Sequence, residues 1–244
     1  MLQNTQGIVL RSVKYGETSL ITSVFTEKQG VQSYMVQGVR TSKAKTNKAA
    51  LLQPATLLDL VIYQKPQVNL QRLKEYQYAH IYTTLQEDIV KNSIALFSVE
   101  LLLRLLPEHA QQPELFRFSF EYFKLLDKME TVSVANFPIY FIIQCGHLMG
   151  YEIRGTYSSI TPYLSLQDGA YTEHLPPMGP HLQDDEAKAL SALLSIESPA
   201  DLKHIHMNAT ARYHIMDWYL AFLHQHTQHL GSIRSLAVLQ AVLH

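Results

Sequence analysis

The chain has 244 residues, 47% of them apolar and 17% charged, with a formal net charge of -1; this balance fits a packed globule and excludes a disordered protein. The single cysteine, Cys145, permits no internal disulfide and supplies no thiolate cluster, so a reducing, cytoplasmic setting is expected. The opening segment MLQNTQGIVLRSVKYGE lacks the basic start and unbroken apolar run of a secretory leader, and with no stretch of about 18 apolar residues no membrane association is expected.

Up to about residue 80 the pattern is that of strands: short β-branched and aromatic runs separated by turn signals. They are GIVLRSVKY from Gly7, LITSVFT from Leu20, VQSYMVQGV from Val31, ATLLDLVIY from Ala55 and VNLQRLKEYQY from Val68, with EKQG at 27–30 as a hairpin link. Five short strands with one long loop suit a small barrel of the oligonucleotide/oligosaccharide-binding (OB) type, and a five-stranded open sheet fits the same pattern.

From Asp88 the apolar spacing becomes helical. DIVKNSIALFSVELLLRLL stops before Pro107, PELFRFSFEYFKLLDKM starts at Pro113, and NFPIYFIIQCGHLMG reads as a buried central helix ending at Gly150, with Cys145 inside it as packing. An insert at about 151–180 contains a hairpin, YLSLQDGAYTEH, turning at Asp168-Gly169. Three helices follow: DDEAKALSALLSI with acids in its first turn, NATARYHIMDWYLAFLHQHTQHLG closing at Gly231, and SIRSLAVLQAVLH. The expected class is therefore α+β, with a barrel domain at 1–80 and a mainly helical domain at 81–244.

Charge divides along the same line. Residues 1–80 carry ten Lys/Arg against four Asp/Glu, a net of +6, and residues 81–244 carry ten against seventeen, a net of -7. Between Lys28 and Leu58 there are five basic residues and no carboxylate. Such asymmetry points to a polyanion, an anionic membrane, an acidic protein or simply a solvated loop, and the membrane reading is weakened by the lack of an accompanying amphipathic helix. A barrel with a basic loop offers a groove that tracks phosphates, and Tyr15, Phe25, Tyr34 and Tyr63 are available either as stacking platforms or as core.

Catalytic signals are weak by comparison. No nucleophile elbow, phosphate-cradling loop or dinucleotide glycine motif is present, and the chain reads as a binding module and not an enzyme. Eleven of the twelve histidines follow residue 100, including His204, His206, His224, His226 and His229, yet His224 and His226 diverge by about 200° on a helix, and no cofactor is expected.

The order of YGETSLITSVFTEKQG, VQGVR with its trailing Ser/Lys stretch, and LLQP resembles the N-terminal domain of the bacterial RecO family, and GHLMGY and IRSLAVLQAVL resemble that family's central-helix end and final helix. The resemblance implies an OB-fold followed by a helical domain, and a DNA repair and recombination mediator without catalytic turnover. It implies binding of single- and double-stranded DNA, strand annealing, and cooperation with RecR in loading RecA onto DNA coated with single-strand-binding protein (SSB). By position it implies DNA contacts at Arg11, Lys14, Lys28, Arg40, Lys43, Lys45 and Lys48, and an SSB-tail contact near Arg104, Arg117 and Lys124. Many members carry a four-cysteine zinc site in the insert; here the insert has no cysteine, so no zinc is expected and packing by Tyr157, Tyr163, Leu164 and Tyr171 must hold it. A protein-protein adaptor whose basic barrel binds acidic peptides is the alternative.

Overall fold

A computed structural model describes residues 2–39, 48–63, 68–227 and 230–243. The chain forms two compact units, Met1–Lys128 and Met129–His244.

The first unit opens with five strands, β1 (Leu2–Tyr15), β2 (Ser19–Thr26), β3 (Gly30–Val36), β4 (Leu57–Tyr63) and β5 (Leu70–Tyr78), closed into a barrel in the order β1-β2-β3-β5-β4. This is an OB-like barrel, in which only β3 and β5 run parallel. β1 closes it by pairing with β4 through its first half and with β2 through its second. A bulge between Val9 and Arg11 supplies the bend that lets one strand serve both neighbours. Gly7 sits at the changeover, where a Cβ would stand 2.6 Å from Val24 and 2.7 Å from Leu60. Val9, Val24, Tyr34, Leu58, Leu60 and Ile62 fill the interior.

Two helices complete this unit, α1 (Ile89–Leu105) and α2 (Pro113–Lys128). α1 begins where Asp88 accepts from the amides of Val90 and Lys91, an N-cap. The ring of Phe116 on α2 meets Phe25 edge-on at 5.4 Å. Gly30, at φ +67, lies against the Ala110 carbonyl, where a Cβ would collide.

Asp127, 2% exposed, joins the connector after β5 to the end of α2. Its carboxylate accepts from the amides of Thr83, Thr84 and Leu85 at 2.8–3.0 Å and from the Thr83 hydroxyl. Burial would raise its pKa, but these donors outweigh it and hold the group down at about 2. On the barrel side, the Tyr82 hydroxyl donates to the Ala55 carbonyl at 2.7 Å.

The second unit is built on α3 (Phe137–Leu148) and α5 (Ala209–His226), with α4 (Asp184–Leu194), α6 (Ser235–Val242) and a three-stranded sheet of β6 (Tyr163–Ser165), β7 (Ala170–Thr172) and β8 (His181–Leu182). α3 is buried along nearly its whole length, including Cys145, as its apolar run predicts. Gly146 lets α5 come close: a Cβ there would sit 3.0 Å from the Tyr219 hydroxyl. The hairpin turns at Asp168-Gly169 as expected and gains β8 as a third strand. Leu164 and Tyr171 are buried, Tyr157 and Tyr163 half-buried, and the Tyr171 hydroxyl donates to the Ala187 carbonyl at 2.8 Å, tying the insert to α4. α5 ends at His226, short of Gly231. No described helix is long and apolar enough to cross a membrane.

Candidate nucleic-acid interface

Strand register decides which side chains share the outer face of the barrel. Val13 opposes Ile21, Ile21 opposes Met35 and Met35 opposes Arg72, so one row crosses β1, β2, β3 and β5. The neighbouring outward row is Arg11, Ser23, Ser33 and Leu70. Between them runs Ser12, Thr22, Tyr34 and Gln71, which turns inward: Ser12 donates to the Leu52 carbonyl at 2.6 Å, and Tyr34 is fully buried. The outer face thus combines apolar side chains with a guanidinium at each end.

Next to Met35 and Arg72, a shallow groove is lined by Lys48, Arg72, Leu73, Lys74 and Tyr76, with no carboxylate among its lining residues. Lys48, Arg72 and Lys74 are exposed, and Lys74 lies 3.3 Å from the solvated Glu75. Lys74 occupies the bulge where β5 slips against Val61 and Ile62, which keeps it at the surface. Burial raises the Tyr76 hydroxyl to about 12, so it stays a neutral phenol beside the cations.

Of the aromatic candidates, Phe25 and Tyr34 are fully buried and belong to the core, whereas Tyr15 is 53% and Tyr63 42% exposed. Tyr15 continues the face of Arg11 and Val13 by the alternation of β1.

The candidate cations fall into distinct places. Arg11 and Lys14 are both exposed on β1 but point to opposite faces, Lys14 lying in the row of Leu20 and Val36 at the rim. Lys48 joins Arg72 and Lys74 in the groove. Lys28 lies in the β2–β3 turn, separated from the Lys14 rim by the eight residues of β2, or roughly 25 Å at about 3.3 Å each. Its Nζ donates to the Asn4 carbonyl at 2.8 Å, and it shares a depression with Glu27, Asp59 and Glu75. Arg40, Lys43 and Lys45 lie outside the described residues. Sequence reading missed Arg72 and Lys74; the signal was the basic alternation in QRLKE, which acquires meaning only once β5 is known to pair with β3.

On the helices, Arg104 is half-buried on α1, and Arg117 is exposed with its Nε donating to the Pro113 carbonyl at 3.4 Å. Lys124 binds Glu121 at 2.8 Å and lies 5.9 Å from the Phe120 ring centre. Seven residues apart, Arg117 and Lys124 share one face of α2. Among the described residues no group of three or more His, Cys, Asp or Glu side chains is placed to hold a metal ion. His226 instead stacks on Tyr151 at 5.6 Å, and His229 lies outside the described residues.

Residues 1–82 match the family described as Recombination protein O N terminal, and residues 86–236 match Recombination protein O C terminal. The chain is 31% identical over 243 residues to a DNA repair protein RecO of Bacteroides fragilis, covering 98% of both chains. It is 26% identical over 242 residues to that of Christiangramia forsetii, covering 99% of both. With that of Salinibacter ruber it shares 33% identity over 146 residues, 60% of this chain and 55% of the other.

Proposed function

The chain belongs to the RecO family of DNA repair and recombination proteins, and on that premise we propose that it is a recombination mediator that binds single- and double-stranded DNA across the outer face and rim of its barrel. The observation that carries this reading is the exposed sheet face with Arg11, Val13, Tyr15, Met35 and Arg72, continuous with the carboxylate-free groove of Lys48, Arg72 and Lys74. Cations neutralise phosphates without reading sequence, and exposed rings and aliphatic side chains stack on bases. Lys14 at the rim adds to the same electropositive region; Arg40, Lys43 and Lys45 are further DNA contacts by the family resemblance alone, and Lys28, among three carboxylates, is a separate contact point for duplex DNA.

The protein anneals complementary strands because a cationic surface holding two strands lowers their mutual repulsion while leaving base edges free. Together with RecR it helps load RecA onto SSB-coated single strands, in the cytoplasm and without turning over a substrate. Exposed Arg117 and half-buried Lys124 on one face of α2, with half-buried Arg104 on α1, are the contact for the acidic SSB tail. Binding of labelled oligo(dT) at two salt concentrations tests the reading. Strong, salt-sensitive binding supports it; no binding to single-stranded DNA, with saturable binding to an acidic peptide, would favour the adaptor.

A further inference from the structure

The second unit carries a groove of its own, lined only by residues between Tyr140 and Tyr219. Along α3, Tyr140, Ile143 and His147 recur at helical spacing and so share one face, and that face is part of the lining. Leu194, Ile196 and Glu197, at the end of α4 and just beyond it, are another part. The cavity of about 330 Å³ lies at the lower end of the range for ligand sites, roughly 300–1,000 Å³, and has room for a long side chain but not for a helix.

No Lys or Arg is among the lining residues, whereas Glu152 and Glu197 are, and both are exposed. Glu197 forms no ion pair among the described residues, and the one ion-pair partner of Glu152 there is His147, at 3.4 Å. Three tyrosines, Tyr140, Tyr151 and Tyr219, line the same groove. Burial raises the Tyr140 and Tyr219 hydroxyls above their ordinary range, so both stay neutral phenols. The ring of Tyr151 is held by stacking on His226 at 5.6 Å. Two helix ends add to the negative character, since α3 stops at Leu148 and α4 at Leu194, and the last carbonyls of a helix carry partial negative charge. Residues 129–244 hold five Lys/Arg against ten Asp/Glu, a net of -5. Carboxylates, neutral rings and aliphatic surface around one small cavity complement a guanidinium on its methylene stem. The fork bonds to carboxylates, the plane stacks on rings and the stem covers apolar surface. The same charge repels a phosphate or an acidic peptide.

We propose that this groove seats an arginine side chain presented by an apolar and basic segment of a partner protein. Arginine is chosen over lysine because its planar fork can engage carboxylates and rings together. A protein is chosen over a free polyamine because Ile143, Leu194 and Ile196 give an aliphatic neighbour of the arginine a place to pack. The site stands on the second unit alone and does not depend on DNA binding by the barrel.

The test is an amide NMR titration of the full chain with end-capped Leu-Arg-Leu, Leu-Lys-Leu and Leu-Glu-Leu, with spermidine and with oligo(dT). Leu-Arg-Leu is expected to shift the His147, Glu152 and Glu197 amides saturably, Leu-Lys-Leu to do so more weakly, and oligo(dT) to leave them unmoved. E152Q and E197Q should each weaken Leu-Arg-Leu binding roughly two- to fivefold, as for exposed charges. Y151L, which keeps apolar bulk and loses the ring, should weaken it by a similar factor. Silence of those amides toward Leu-Arg-Leu, an equal response to Leu-Glu-Leu, or unchanged affinity in both Gln variants would sink the proposal. Spermidine binding as tightly as Leu-Arg-Leu would overturn the choice of a protein, and the same shifts on concentrating the protein alone would replace the partner by a second copy.

Discussion

Replacing Lys48, Arg72 and Lys74 together by Ala tests the barrel groove most directly. On a single strand each phosphate contact contributes about 0.7 to the slope of log affinity against log salt. Arg11, Lys14, Lys48, Arg72 and Lys74 are the exposed cations of the face, groove and rim within the described residues. If all five touch phosphate the slope is about -3.5, and affinity falls about a hundredfold between 50 and 200 mM salt. Removing three changes the slope by about 2, to roughly -1.4, and the same salt step then costs only about sevenfold. The change of about 2 holds regardless of what residues 40–47 add, because that addition is common to both proteins. Fluorescence anisotropy with labelled oligo(dT) at four salt concentrations measures both slopes, and thermal melts confirm that the surface substitutions leave the fold intact. A triple variant whose slope lies within about 0.5 of the wild type would refute the assignment of this groove to phosphate. K28A, in a depression that also holds Glu27, Asp59 and Glu75, is expected to leave the single-strand slope unchanged.

Other expectations follow from the packing. Because the folded Asp127 carboxylate is held at about 2, below its ordinary 3.8, its contribution to stability is present in full above the unfolded value and fades as pH falls from about 4 toward 2. The shift corresponds to about 2 kcal/mol, so D127N should cost about that at pH 7 in urea unfolding, with a penalty that shrinks in acid; a penalty unchanged at pH 3 would contradict the clamp. G7A should destabilise by about 1–3 kcal/mol because its Cβ has nowhere to go between Val24 and Leu60, and a variant as stable as wild type would show that β1 has room there. Y34F should be neutral or stabilising by up to about 1 kcal/mol, since the buried hydroxyl has no partner among the described residues; a loss above about 1 kcal/mol would reveal one. Y15A should weaken oligo(dT) binding by about 1 kcal/mol while leaving the salt slope alone, since stacking releases no counterions; an unchanged affinity would remove Tyr15 from the surface.

The barrel was legible where alternation is strong. GIVLRSVKY, LITSVFT and ATLLDLVIY carry both the period of a strand and the apolar face that fills the interior. The first residues of β1 were not, because Gln3, Asn4, Thr5 and Gln6 are polar; they become strand through pairing with β4, with Gln6 donating to Asp59 at 3.1 Å. β8, only two residues long, has no local signature and exists because β6 offers it an edge. The candidate groove was half visible. Charge counting found the loop, but Arg72 and Lys74 lie beyond residue 63, and only the fold brings them into one groove with Lys48. Arg212 reads in sequence as one more solvated helix cation, and nothing before the fold shows that α5 buries it.

The Asp127 clamp also bears on what can be dissected from this chain. A fragment ending near residue 80 would keep all five strands yet lose Phe116 from beside Phe25, the Ala110 backbone from against Gly30, and the anchor that fixes Thr83, Thr84 and Leu85. The smallest piece expected to be made and handled by itself therefore runs to Lys128, and a DNA-binding assay on an isolated barrel should be designed with α1 and α2 attached.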